Sequence, residues 1–264
     1  MARGRRWQHP LSGPPAGPSA SGPRAAPRHP GIIFDAGHGG VIGGKYQTAG
    51  KFYTFTDRTP PHTIREGVVN RRIQAAVIAG LLSEGISPHD CTAQRLWSTP
   101  PAWTDLEQRD IPLKQRVAYC RAFPKLPLIS IHANAQGNSN RGPSRPRRGL
   151  IVYTHPGNSG SDALATAIHQ GLSEALAGHL PIARGDWSDG DVDHEANFYI
   201  LRSTPQEAVL LECGYFDNAQ DAAFLESEEA PRLVALGILS AVLPMLEPSH
   251  NHHRFRRSSS RAQS

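Results

Sequence analysis

Apolar residues along this chain fall into two alternating patterns. Short continuous apolar runs occur at Gly31–Phe34, Leu126–Ile131, Gly149–Tyr153 and Ala208–Leu211, each bounded by turn residues or a polar end. Runs of that kind predict buried parallel strands. Phe198–Leu201 reads as a further strand and Thr92–Leu96 as a short one. Between them lie segments with helical spacing. EGVVNRRIQAAVIAGLLSEG opens at Glu66 and places Val69, Ile73, Ala76, Val77 and Gly80 on one face. Pro112–Ala122, Ser161–Ala177 and Pro231–Leu246 read as three more helices, and Asn218 with Asp221 begins a short one. Val41–Arg65 carries Lys45, Tyr46, Lys51, Phe52, Tyr53 and Phe55 and is read as one long loop, either a substrate wall or plain surface.

Composition divides the 264 residues into three parts. Residues 1–30 are rich in Pro, Gly, Ser and Ala, which predicts a disordered leader; residues 249–264 form a polar tail, and the folded domain spans 31–248. The leader carries five Arg and the tail four, with no acid in either. Removing those nine charges from the net +5 leaves the middle at −4. The basic character therefore sits at the ends, which argues against a nucleic-acid-binding core and suits salt-dependent attraction to anionic polymers. The three cysteines, Cys91, Cys120 and Cys213, supply no disulfide framework and no CxxC pair. No apolar run approaches a membrane span, and the amino terminus lacks the apolar core of a signal peptide.

The stretch with the most chemistry is GIIFDAGHGG, Gly31–Gly40. It sets His38 among glycines at the carboxyl end of a strand, where sites form in open α/β sheets. A P-loop reading of Gly39-x-x-x-x-Gly44-Lys45 fails because Tyr46 stands where Ser or Thr must bind magnesium. His132 follows the strand 126–131 and Glu212 follows 208–211, repeating the pattern, while Glu66 stands at a helix start, where the helix dipole alone would favour it. Two histidines and a carboxylate are a known catalytic zinc set, and a further Glu can move the proton. The residues carry no short-range signature such as HExxH, so spacing alone leaves the roles open.

The segments DAGHGG, REGVVNRRI, LISIHAN and LLECGYFDNAQD, in that order, resemble the motifs of the zinc-dependent N-acetylmuramoyl-L-alanine amidases of the type 3 class, in particular phage and Bacteroides members. The resemblance runs from about Ile32 to the last helix. It implies a single αβα domain with a twisted, mostly parallel central sheet flanked by helices. It implies Zn2+ held by His38, Glu66 and His132, with Glu212 as the catalytic carboxylate. The substrate implied is peptidoglycan, cut at the amide between N-acetylmuramic acid and L-alanine, by an autolysin or endolysin. Asn70, Asn134, Asp35 and Tyr46 are candidate substrate or supporting contacts, Asp35 as an orienter of an imidazole. Asp193, His194 and Glu195 are read as loop residues. The protein is expected to be a monomer with no membrane span and no specific nucleic-acid partner, acting at the cell wall in the periplasm or outside the cell. Lacking a recognisable signal peptide, it would stay cytoplasmic until released, unless its start is misassigned. The competing readings are a catalytically inactive peptidoglycan-binding module and a polymer or nucleic-acid binder working through the basic ends.

Overall fold

The computed structural model describes residues 29–48, 51–102, 110–157, 159–181, 186 and 190–246. Nearly all of the leader and tail, including their nine arginines, lie outside these residues. The described chain begins at His29, whose N–H donates to Met245 O at 2.7 Å beside a β-bridge to Leu246.

The strands are β1 (Ile33–Ala36), β2 (Val41–Ile42), β3 (Lys45–Tyr46), β4 (Phe52–Phe55), β5 (His62–Arg65), β6 (His89–Asp90), β7 (Arg95–Leu96), β8 (Leu128–Asn134), β9 (Arg141–Gly142), β10 (Leu150–Thr154), β11 (His194–Glu195) and β12 (Ala208–Tyr215). The helices are α1 (Glu66–Ser83), α2 (Leu113–Arg121), α3 (Ser159–Ala175), α4 (Tyr199–Ser203), α5 (Ala219–Glu226) and α6 (Glu229–Val242). A seven-stranded sheet runs β11-β10-β12-β8-β1-β6-β7. It is parallel at β10–β11, β12–β8, β8–β1 and β1–β6, and antiparallel at β10–β12 and β6–β7. This is the expected αβα layering, with a mixed sheet.

Side chains of a strand alternate between its faces, and that alternation builds two cores. Ile32, Phe34, Ile129, Ile131, Val209 and Leu211 pack with Val69, Ile73 and Val77 of α1, Leu164 and Ile168 of α3, and Val234 and Ile238 of α6. Ile33, Leu128, Ala208 and Leu210 point the other way, onto Val117 and Cys120 of α2 and Ile200 and Leu201 of α4. Asp35, Ser130, His132 and Glu212 share this second parity. His132 and Glu212 are register partners on adjacent strands. All three cysteines are buried and free.

Three sequence expectations need correction. Phe198–Leu201 is not a strand but runs into the helix α4, because its apolar residues pack on α2 instead of pairing at a sheet edge. Thr92–Leu96 is not one strand: β6 and β7 are two short antiparallel strands joined by a turn through Thr92. Val41–Arg65 is not an unstructured loop. It forms the hairpin β2–β3, turning through Gly43 and Gly44 at φ 56° and 75°, and then β4 and β5, with β4 also pairing β9. Two glycines at positive φ are the chemistry a two-residue hairpin demands. Tyr53 and Phe55 alternate into the core, which ties the excursion down. The strands bearing His132 and Glu212 also continue past them, to Asn134 and Tyr215.

Candidate metal and active site

His38 is held at φ 66°, in the left-handed region that few non-glycine residues occupy. Side chains fix it there. Its carbonyl accepts from Arg71 Nη2 at 2.9 Å and Arg116 Nη2 at 2.8 Å. Asn70 Nδ2 donates to Gly37 O at 3.0 Å, and Gly39 N–H donates to Thr48 Oγ1 at 2.6 Å. The neighbouring glycines serve close approach. A Cβ on Gly37 would lie 2.1 Å from Cε1 of His132, and one on Gly67 would lie 2.0 Å from Gly39 O.

Glu66 opens α1. The first helical N–H groups, which have no partner within a helix, are taken by the hairpin region: Glu66 N–H donates to Lys51 O at 3.0 Å and Gly67 N–H to Tyr46 Oη at 2.9 Å. Tyr46 in turn donates to Lys51 O at 3.0 Å. Tyr46 is thus a strut under the helix, partial burial pushing its hydroxyl up to about 12.

Glu66 Oε1 lies 3.2 Å from His38 Nε2 and 3.0 Å from His132 Nδ1. The two rings stand nearly perpendicular with centroids 4.9 Å apart. One potential ligand atom from each of His38, Glu66 and His132 falls within 4.8 Å of the others. Burial would raise the Glu66 carboxyl, but the two imidazoles hold it at about 2. Burial depresses His38, whereas Glu66 outweighs burial at His132 and raises it. Across the strand pair, burial pushes Glu212 up to about 8, with His132 and Lys51 opposing and Glu66 adding to the rise. Glu66 Oε2 and Glu212 Oε2 are buried without a hydrogen-bond partner. An anionic oxygen shared by two imidazoles, with two orphaned carboxylate oxygens beside it, fits a divalent cation. The donor set of two nitrogens and one oxygen suits zinc.

These residues border a cavity of about 560 Å³ that Lys51, Phe52, Asn134, Asn138, Ser139, Asn140 and Phe216 also line. That size suits a peptide-sized ligand. Asn134 is at the cavity wall, its side-chain oxygen accepting from Ala135 N–H at 2.8 Å. Asn70 reaches only backbone. Asp35 does not orient an imidazole by a hydrogen bond. Its carboxylate accepts from Arg116 Nη1 at 2.9 Å and Ser130 Oγ at 2.7 Å, because its strand parity aims it at α2. Asp193 and His194–Glu195 lie elsewhere, at the β10–β11 edge, with Asp193 accepting from Thr154 Oγ1 at 2.5 Å. Lys51 and Phe52, from the stretch read as a possible substrate wall, do line the cavity, whereas Arg71 and Thr48 carry no sequence signal for their contacts around His38. Arg116 lies on the helix expected over Pro112–Ala122, and its sequence signal is a guanidinium beside the apolar Leu113 and Val117.

Arg116→Met is expected to leave Asp35 without its cation and to cost about 3–5 kcal/mol, as breaking a buried pair does. Burial would raise the Asp35 carboxyl, but Arg116, with His132 and Ser130, holds it at about 2 against an ordinary 3.8. Its stabilisation is therefore complete above pH 3.8 and lost as pH falls through about 2. In the variant the folded carboxyl is no longer held down by Arg116 and rises toward its unfolded value, so that acid loss should shrink. Denaturation midpoints across the acid range check this, and an acid loss as large as in the wild type would contradict it.

The fold and the site together define an α/β domain with a His–Glu–His cluster at the carboxyl ends of its central strands. Residues 32–243 match the family model described as N-acetylmuramoyl-L-alanine amidase, and the chain belongs to that family, the type 3 class. Solved structures agree in fold. The catalytic domain of CwlV, an N-acetylmuramoyl-L-alanine amidase from Bacillus (Paenibacillus) polymyxa var. colistinus, is 25% identical with TM-score 0.56, over 80% of this chain and 94% of that one. The amidase AmiC2 of Nostoc punctiforme is 23% identical with TM-score 0.57, over 80% and 94%. The catalytic domain of the CD27L endolysin, which targets Clostridia difficile, is 19% identical with TM-score 0.51, over 83% and 99%. No curated protein matches this chain in sequence. No helix among the described residues is long and apolar enough to cross a membrane.

Proposed function

We propose that this protein hydrolyses the amide joining the lactyl group of N-acetylmuramic acid to L-alanine in peptidoglycan, with zinc held by His38, Glu66 and His132. The observation that carries the reading is the convergence of those three side chains on one point with Glu212 opposite His132 in register. The family match supports the substrate class. Zinc bound there would supply a Lewis acid, able to polarise the amide carbonyl and to lower the pKa of a water from about 15.7 to about 7.

The chain's own residues do the rest. Glu66 gives the cluster its negative charge from a helix start held by Lys51 and Tyr46. Glu212 is half-buried, and its Oε2 is buried without a hydrogen-bond partner, so it is free to exchange a proton at the reacting bond. A cation at the cluster would favour the ionised form of this carboxyl. As a carboxylate it takes the proton of the attacking water as the new carbon–oxygen bond forms, and passes it to the alanine nitrogen as the carbon–nitrogen bond breaks. Phe52 and Phe216 give the cavity apolar wall, and Asn134 a polar contact for the peptide.

Mass spectrometry of products from a defined muropeptide tests the bond. The expected products are a peptide with a free L-alanine amino group and N-acetylmuramic acid with a free lactyl carboxylate. Cleavage within the glycan or further along the peptide would overturn the reading.

A further inference from the structure

We propose that Lys51 is a specificity-determining residue of this cavity, pairing with the free α-carboxylate of the γ-linked acidic second residue of a stem peptide and so selecting acid stems over amidated ones. The proposal rests on the amidase reading above and names the stem chemistry that the same site prefers.

Lys51 is the one lysine or arginine among the described residues that line the cavity with His38, Glu66 and Glu212. No carboxylate of the described residues forms an ion pair with it. Glu66 is engaged by His38 and His132, so the ammonium remains available to a ligand. Its backbone is locked to the start of the helix that bears Glu66, because Lys51 O accepts from both Glu66 N–H and Tyr46 Oη at 3.0 Å. The Lys51 backbone is thereby set at a fixed place relative to the candidate metal position, while its exposed side chain is left to meet a substrate.

The chemistry of the stem supplies the partner. When L-alanine is followed by a glutamate linked through its γ-carboxyl, the α-carboxylate of that glutamate is free. It lies about two residue lengths, or ~7 Å, from the scissile amide. The other walls toward the peptide, Asn138, Ser139 and Asn140, are neutral. An ammonium offers three N–H donors and a full charge to a carboxylate, and only a neutral dipole meets it when that group is an amide.

The test compares the full-length protein with K51M and K51R on two substrates: N-acetylmuramoyl-L-alanyl-γ-D-glutamate and its α-amide. K51M keeps the Lys51 backbone carbonyl that the helix start needs. The wild type should show a KM for the acid about three- to tenfold below that for the amide, the range of a partly exposed charge-assisted contact. In K51M that ratio should fall to about one through a higher KM for the acid, and K51R should restore part of it. An unchanged ratio in K51M would overturn the proposal. So would an equal loss of kcat on both substrates, which would place the ammonium at the reacting carbonyl. If the wild type cleaves neither substrate, the amidase reading itself fails. Calorimetric titration of zinc-loaded protein with the free dipeptide L-alanyl-γ-D-glutamate and its α-amide then decides the pairing. A preference for the acid that K51M loses supports it; equal binding of the two overturns it.

Discussion

Glu212→Gln is expected to keep zinc bound and to lower amide hydrolysis by roughly 10²–10⁴. Glutamine preserves the shape of the side chain opposite His132 and removes the group that exchanges the proton. The same substitution has a stability signature in protein stripped of metal. Burial raises the Glu212 carboxyl to about 8 from an ordinary 4.5. The unfolded chain releases its proton first, so this group's contribution to stability falls as pH rises from 4.5 to about 8. Glu66, held at about 2, is ionised throughout that window and contributes no slope. Metal-free Glu212→Gln should therefore lose less stability than the wild type between about pH 5 and pH 8. Normal turnover by the variant with zinc in place would assign the proton transfer to another group.

The second large effect is expected at Glu66. Among the described residues, its Oε1 is the only carboxylate oxygen within bonding distance of both His38 and His132. Glu66→Gln replaces an anionic donor by a neutral one. Zinc affinity should fall by more than the roughly 10–100-fold typical of losing an outer hydrogen-bond partner, and activity should fall with it at limiting zinc. Competition against a chromophoric chelator measures the affinity. An unchanged affinity would remove Glu66 from the ligand set.

The two glutamates differ in how far the sequence foretold their surroundings. Glu66 sits at a helix start that amphipathic spacing located to the residue, because a helical face is a local pattern. The register of Glu212 with His132 is non-local, and nothing in either segment states which strand pairs with which. The apolar runs did locate β1, β8, β10 and β12, since strands buried on both faces read as continuous apolar sequence. The run Phe198–Leu201 failed by the same rule, because four apolar residues cannot tell a short strand from a turn of helix. In DAGHGG, the glycines drew attention as the flexible positions, yet His38 itself takes the positive φ. Gly37 instead makes room for the His132 ring. That inversion depends on Arg71 and Arg116 reaching one carbonyl from two helices, a contact that only the folded chain creates. Gly43-Gly44 is a hairpin-turn signal that falls inside the P-loop-like run Gly39-x-x-x-x-Gly44-Lys45, so one pair of glycines fits two local patterns and only the fold decides between them.

Returning zinc to chelated protein, with metal content and hydrolysis of a defined muropeptide followed on the same sample, tests the central claim most directly. Activity should be absent without metal, rise in proportion to zinc bound, and level off at about one zinc per chain. Full hydrolysis by protein holding well under a tenth of a zinc per chain, or zinc bound to saturation with the muramyl–alanine amide left intact, would contradict it.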